Sequence, residues 1–130
     1  MLRRFNPATV AAPLGAYSHA VEIPKNARWL SIAGQGPVRL DGTVPESFEE
    51  QHELICQNIL AILEAANMGP ENLVHLNVYS TDPAGIKFLS PHRRKYFGEH
   101  IPSSTWVVIS GLAIPGWLVE VEALAAKADD

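Results

Sequence analysis

The sequence WLVEVEALA at residues 117–125 alternates between two kinds of side chain and predicts a β-strand. One face of this strand would be apolar, with Val119, Val121 and Ala123, and the other would carry Glu120 and Glu122 between two leucines. The two carboxylates would lie roughly 6.5–7 Å apart, at about 3.3 Å per residue. Such a pair can position a water molecule or move a proton. The plainer alternative is two acids on the surface of an edge strand, and spacing alone favours it.

Other segments show the patterns of strands. Residues 73–80 alternate between an apolar and a mixed face, and residues 105–109 form a β-branched and aromatic run. Strands are also predicted at residues 17–23, 28–33 and 38–40, the first two as a hairpin. Residues 1–16 contain two prolines and a glycine and predict an irregular arm.

Two segments have the apolar spacing of amphipathic helices. The first, 47–67, opens with a capping box formed by Ser47 and Glu50, and Gly69-Pro70 is predicted to end it with the glycine in the left-handed conformation. The second begins at Asp82-Pro83 and ends at Gly98. Its predicted inner side consists of Ile86, Leu89, Tyr96 and Phe97.

These elements predict one α+β domain over residues 1–130, with two helices packed on one face of a mixed sheet. The opposite face would be too apolar to remain in water. Its predicted members are His75, Tyr79, Trp106, Leu118 and Leu124. We therefore expect that face to pack against other copies of the chain, and a closed ring is the simplest solution.

Composition argues against several classes of protein. The net charge is −4, and the one basic cluster, 92–95, falls on a predicted helix and is interpreted as a solvated face. Binding nucleic acid usually requires a basic surface, so nucleic acid is not the expected partner. No stretch approaches the roughly 20 apolar residues of a membrane span, and no signal peptide is evident. We expect a cytoplasmic protein with no membrane partner.

The cysteine and histidines do not predict a metal site. Cys56 is the single cysteine and lies among apolar residues, so it is interpreted as part of the core. The five histidines show no metal-ligand spacing. His19 follows Tyr17 closely and could line a pocket, although a histidine on the surface of a strand is the plainer interpretation.

Two polar segments are weaker candidates for a site. The stretch GQGP at 34–37 offers free backbone amides for a small anion or a carbonyl oxygen, or is simply a turn. The stretch SST at 103–105 supplies hydroxyl groups without an adjacent base, so nucleophilic catalysis is not supported.

Five motifs, in order along the chain, resemble those of one family. They are LGAYSHA at 14–20, SIAGQGP at 31–37, NILAILEAA at 58–66, VYSTD at 78–82 and LVEVEA at 118–123. The family is YjgF/RidA, the reactive-intermediate deaminases. The resemblance implies a chorismate-mutase-like fold and a homotrimer with small-molecule clefts between subunits. It also implies hydrolysis of imines or enamines to carbonyl compounds and ammonia, without a cofactor.

The resemblance assigns roles to particular residues. Glu120 would position the attacking water, and Tyr17 and the amides of the turn at Gly34 would orient the substrate. An arginine of the family, which holds the substrate carboxylate, is replaced here by Ser104. Other substrate-binding positions correspond to Ala33, Ser90, Thr105 and Trp106. Because a hydroxyl cannot replace a bidentate arginine, we expect a substrate that lacks an α-carboxylate or holds it differently, with Ser104, Thr105 and Trp106 shaping specificity. The alternative is that another basic residue, Arg28, Arg39 or Arg93 of a neighbouring copy, replaces the arginine.

Two other functions remain open at this stage. The same cleft could serve a non-catalytic ligand-binding or stress-protective module. A ribonuclease or translation inhibitor, an activity attributed to some members of the family, is opposed by the net charge of −4, since phosphate contacts require positive charge.

Overall fold

The computed structural model describes residues 1–128, which alternate between strands and helices. The elements are β1 (Arg3–Phe5), β2 (Ala20–Glu22), β3 (Ala27–Gln35), α1 (Phe48–Ala65), β4 (Leu73–Ser80), α2 (Ile86–Phe97), β5 (Ser103–Val108) and β6 (Val119–Ala128). Single turns of 3₁₀ helix at Pro70–Asn72 and Pro83–Gly85 precede β4 and α2.

The main sheet has the strand order β3-β6-β4-β5. Strand β6 is antiparallel to both of its neighbours, whereas β4 and β5 are parallel. The helices α1 and α2 pack on one face, so the predicted α+β fold is confirmed. Because β6 is paired on both sides, Glu120 and Glu122 do not stand on an edge strand.

The apolar core lies between the helices and the sheet. Ile55, Ile59 and Leu63 of α1 are almost fully buried against residues of β4 and β6, among them Leu76. Burying each such side chain contributes about 1.5–3 kcal/mol. Cys56 is also buried in this cluster, as predicted.

The N-terminal strands pair differently from the prediction. The predicted irregular arm contains β1, which pairs with β2, and β3 pairs with β6 instead of forming a hairpin with β2. The β1–β2 ribbon places Leu2 against Val74 and Ala126 in a second apolar cluster. Such contacts between distant residues determine which strands pair, and the local sequence pattern does not reveal these contacts.

The predicted strand at 38–40 is wrong. A turn occupies this region, in which the Arg39 amide donates to the Thr43 carbonyl over 2.9 Å. The Asp41 carboxylate accepts from both the amide and the hydroxyl of Thr43. These local bonds satisfy polar groups that a strand would offer to a neighbour.

Ser47 and Gly98 have their predicted roles at helix ends, and a different residue takes the role predicted for Gly69. The Ser47 hydroxyl accepts from the Glu50 amide over 3.1 Å, as predicted. Asn67, with φ 62°, takes the left-handed conformation that was predicted for Gly69, whose φ is −138°. Asparagine tolerates this backbone region better than most residues. Gly98 ends α2 with φ 65°, as predicted.

The inner side of α2 includes two members of the predicted basic surface cluster. His92 and Arg93 are buried, with 6% and 4% exposure, so the prediction of a solvated face is wrong for them. Ile86, predicted to face inward, is 52% exposed. Trp106 packs on the helix side of the sheet and not on the open face where it was expected.

Candidate functional site

The alternation of side chains along the sheet separates the predicted site residues into two groups. In β5, Ser104 and Trp106 contact residues on the helix side, while Thr105 pairs with Asn77, whose side chain contacts Glu122 on the open face. Successive residues of a strand point to opposite faces. A single chain therefore holds half of the predicted site on each face of its sheet.

The helix-side group lines a cavity of about 600 Å³ beside α2. Four residues that were predicted to bind substrate contribute to its wall, and so does Arg93, one of the basic residues named as a possible replacement for the arginine. The predicted four are Tyr17, Ser90, Ser104 and Trp106. This volume is within the range typical of small-molecule sites.

Hydrogen bonds fix the loop that carries Tyr17 over this cavity. The Ala16 amide donates to the Ser90 hydroxyl over 2.8 Å, and the Leu14 amide donates to the Tyr17 hydroxyl over 3.1 Å. Ser18 donates through its amide to the Pro102 carbonyl, at the start of β5. The loop is thus attached to both α2 and β5, which hold the other members of the group.

Arg93 is the member of this group that the sequence interpretation placed on the surface. Its Nη1 donates to the Ala16 carbonyl over 3.0 Å, and its Nη2 donates to the Ser104 hydroxyl over 2.7 Å. Burial lowers the pKa of Arg93 to about 10, so the guanidinium remains charged near neutral pH. Its spacing of four residues from both Leu89 and Phe97 was the available signal that it faces inward.

The open-face group is built around Glu120. Register between β3 and β6 shifts between Ile32 and Gln35, and Ala33 and Gly34 lie in this irregularity. A Cβ atom added at Gly34 would overlap the Glu120 carboxylate and lie 3.0 Å from its Cδ. A side chain at position 34 would therefore displace the Glu120 carboxylate from this position. No side chain in residues 1–128 hydrogen-bonds to the Glu120 carboxylate, which leaves its oxygens available as acceptors.

Glu122 is in a different situation, because neighbouring side chains bind it. Its Oε1 accepts from the Tyr79 hydroxyl over 2.5 Å and from Asn77 Nδ2 over 3.1 Å. The hydrogen bond to Glu122 raises the pKa of Tyr79. Asn77 in turn contacts His75, whose Nδ1 lies 2.7 Å from the Ser103 hydroxyl. The two carboxylates therefore have different environments despite their identical spacing pattern.

The remaining candidates lie outside both groups. His19 is 6.4 Å from Tyr17 between ring centroids but does not line the cavity. Across residues 1–128, no group of three or more His, Cys, Asp or Glu side chains could hold a metal ion. Within the same residues no helix has the length and apolar character needed to cross a membrane.

Comparison with known proteins places these features in a family. Residues 8–127 match the family described as Endoribonuclease L-PSP. The chain belongs to the YjgF/RidA family. Protein HMF1 of Saccharomyces cerevisiae is 34% identical over 119 residues, which cover 91% of this chain and 89% of the yeast protein. A RutC family protein of Aquifex aeolicus is 32% identical over 128 residues, which cover 97% of this chain and all of that protein (100%).

Solved structures of YjgF/RidA proteins share the fold. YyfB from Yersinia pestis, described as a protein of unknown function of the conserved Rid family, has a TM-score of 0.87 and 27% identity. The match covers 97% of this chain and 98% of the Yersinia chain. A second Yersinia pestis Rid protein, YyfA, matches with a TM-score of 0.71 and 25% identity over 98% of this chain and 100% of its own.

The motif resemblance assigned the water-positioning role to Glu120 in β6 and indicated a departure from the family motif in β5. Ser104 stands where the motif resemblance places the substrate-binding arginine. The guanidinium of Arg93 nevertheless lies against the Ser104 hydroxyl. A positive charge is thus present at the departing position, supplied by another element.

Proposed function

We propose that this protein is a homotrimeric hydrolase of imines or enamines, which converts a reactive 2-imino or enamine metabolite to a carbonyl compound and ammonia. The observation that carries the proposal is the Glu120 carboxylate, which lies over the Gly34 backbone without a side-chain partner among residues 1–128. A carboxylate so placed can accept a proton from water as that water attacks the substrate. No residue of the chain needs to form a covalent intermediate.

The reaction requires one water molecule and no redox step. Glu120 accepts a proton as the water oxygen bonds to the imine carbon, and the carbon–nitrogen double bond becomes single. Glu120 returns that proton to the nitrogen, which completes the carbinolamine. The hydroxyl proton of the carbinolamine then passes through Glu120 to the nitrogen, the carbon–nitrogen bond breaks, and the carbonyl compound and ammonia are released. Backbone amides near Ala33 and Gly34 would orient the substrate beside this carboxylate, and Thr105 lies on the same open face of the sheet.

The separation of the two groups of residues supports association of copies, and the resemblance to the family supplies the number three. Glu120 and Gly34 lie on the open face, whereas Tyr17, Ser90, Ser104 and Trp106 surround the cavity on the helix side. A second copy that docks its open face near the cavity would bring the groups together. That face exposes apolar side chains suited to such contact, including Trp29 at 56% exposure.

Two observations weigh against RNA as the substrate. His92 and Arg93 of the basic cluster are buried, so they do not offer a phosphate-binding surface. Lys95 of the same cluster donates to Glu53 over 2.8 Å, which neutralises part of its charge. Only Arg94 of the cluster is both exposed and without an ion pair among residues 1–128.

The test compares wild-type protein with Glu120→Gln on imines generated from several amino acids by an amino-acid oxidase, with ammonia release as the measurement. Removing the proton acceptor should lower kcat/KM by roughly 10²–10⁴-fold. Glu122→Gln is the control and should retain most activity, because the amide oxygen can still accept from Tyr79. Equal rates for wild-type protein and Glu120→Gln would contradict the assignment. Tight binding of small acids without turnover by the wild-type protein would favour a ligand-binding module instead.

A further inference from the structure

Arg93 is a buried cation whose charge has no anionic partner among residues 1–128. It is 4% exposed, and both of its hydrogen bonds go to neutral oxygens, those of Ala16 and Ser104. Its Nε has no hydrogen-bond partner although it is fully buried. Within the same residues, no carboxylate forms an ion pair with it. Leaving a charge buried and unpaired costs several kcal/mol, so buried charges are normally paired.

The cavity that Arg93 lines has the composition of an anion site. Its walls include a second cation, Lys87, and, within the described part of the chain, no aspartate or glutamate. Trp106 also lines it, and the Nε1 donor of this indole is likewise buried without an acceptor. Two orphaned buried donors at one cavity are uncommon in native proteins, because such groups are normally satisfied by protein, water or ligand. A small anion in the cavity would offset the unpaired charge and bring hydrogen-bond acceptors to this donor-rich wall.

The neighbours of Arg93 hold it in place for such an occupant. The Ser104 hydroxyl accepts from Nη2 and donates to the Leu76 carbonyl over 2.8 Å, so its single proton is already used. The Ala16 carbonyl holds Nη1 from the opposite side. The guanidinium has five N–H groups, and these two bonds leave three of them without a protein acceptor within residues 1–128: Nε–H and one on each Nη. An arginine at position 104 would bring a second cation to the same place, so the serine and Arg93 are mutually compatible.

We propose that Arg93, carried by α2, is the carboxylate-binding residue of this protein and that its substrates or ligands are small organic acids. Arg93 supplies the charge, Ser104 orients it, and Trp106 provides an apolar wall and a further donor. This inference rests on the proposed function only for the identity of the reacting group, since binding of the acid does not require turnover. Of the two alternatives that the sequence left open for the carboxylate, it favours replacement of the arginine by another basic residue, supplied here by the same chain as Ser104.

The test measures binding of a matched pair of probes, 2-oxobutanoate and 2-oxobutanamide, by calorimetry. The two differ in charge and little in shape. Wild-type protein should bind the carboxylate at least roughly tenfold more tightly, as expected for a hydrogen bond to a charged group. Arg93→Gln should remove this preference, and Arg93→Lys should keep part of it. Arg94→Gln, which removes an exposed charge one residue away on the same helix, should leave it unchanged.

Three results would overturn the proposal. One is equal affinity of wild-type protein for the acid and the amide, a measurement that does not depend on any variant folding. Another is an Arg93 Nε–H resonance that does not move at saturating 2-oxobutanoate. The third is folded Arg93→Gln protein that still prefers the acid.

The experiments distinguish failure of the Arg93 proposal from failure of the hydrolase proposal. Glu120→Gln should lose turnover but keep the preference for the carboxylate. If carboxylate binding depends on Arg93 while no imine is hydrolysed, the subsite stands and the hydrolase fails. If imines are hydrolysed with dependence on Glu120 while binding is indifferent to Arg93, the reverse holds.

Discussion

Two residues of the same chemical type can differ in this protein because their surroundings differ. Glu120 and Glu122 are the same residue type on the same face of β6, yet Glu122 is bound by Tyr79 and Asn77 and Glu120 is not. What distinguishes Glu120 is Gly34, which lies too close for a side chain. The role of the carboxylate therefore depends on a residue with no functional group.

This dependence gives a prediction for Gly34→Ala. The new methyl group would overlap the end of the Glu120 side chain, which is flexible, so the carboxylate should move while the fold persists. We expect kcat/KM for imine hydrolysis to fall at least roughly tenfold, because misplacing a catalytic group by about 1 Å can cost 10²-fold. The melting temperature should change little.

Gly111→Ala is the matched control, since a Cβ atom there meets open space. It should retain full activity. A Gly34→Ala protein with unchanged kcat/KM would show that the position of Glu120 does not matter.

At the scale of elements, α1 and α2 meet through a stack of rings that includes two buried histidines. His52 and His92 lie with their Nδ1 atoms 2.8 Å apart, and Phe48 and Phe88 flank them. Only one of the two Nδ1 atoms can carry a proton at that distance. Burial lowers the pKa of His52 to about 3 and also lowers the pKa of His92. The contact between the helices therefore requires neutral histidines.

We predict that stability falls as pH decreases from 6.5 towards 3. In the unfolded chain histidine titrates near pH 6.5, so over this window the unfolded state binds more protons and folding weakens. The contribution is fully present above pH 6.5. For His52 alone, lowering the pH from 7 to 5 should reduce the free energy of unfolding by about 2 kcal/mol. Urea denaturation at fixed protein concentration measures it.

The variant His52→Phe should show a smaller decline over that range, because it keeps an aromatic ring in the stack and removes one titrating group. His100→Gln, on a less buried residue outside this stack, should decline like the wild-type protein. Identical pH profiles for His52→Phe and wild-type protein would contradict the role of the histidine pair.

At the scale of the whole molecule, the sheet separates the two halves of the proposed site, and association of copies is proposed to reunite them. The open face carries Glu120 together with exposed apolar residues such as Trp29 and Leu124. The cavity with Arg93 lies on the helix side. Assembly and activity should therefore be lost together.

The variant Leu124→Glu tests this coupling. A carboxylate introduced beside Glu122 would be buried unpaired at the proposed interface, which is strongly unfavourable. We expect sedimentation velocity to show monomers in place of trimers, with loss of imine hydrolysis. Leu40→Glu changes a fully exposed leucine in a loop and should remain trimeric and active. A trimeric Leu124→Glu protein would argue against the open face as the interface.

Much of the fold can be predicted from local pattern. The capping of α1 by Ser47, the ending of α2 at Gly98 and the alternation of β4 and β6 depend on neighbouring residues and were predicted correctly. The five motifs, in order along the chain, indicated the family, and the comparisons confirm it. These features are set by backbone preferences and side-chain periodicity, which a sequence displays directly.

The predictions that failed concern features that depend on contacts between distant parts of the chain. Strand β3 pairs with β6, which follows both helices in the chain, because those helices bury their apolar faces on the sheet that the two strands help to build. Charge alone indicated a solvated Arg93, whereas packing of α2 brings it to Ser104 and Ala16.

The sequence by itself determined most of the element types, the family and the glutamate of the last strand. Only the tertiary structure decided which face each site residue occupies and that Arg93 of α2 lies against Ser104 of β5. The physical reason is that a buried guanidinium is defined by what surrounds it, and its surroundings come from residues 11 to 77 positions away.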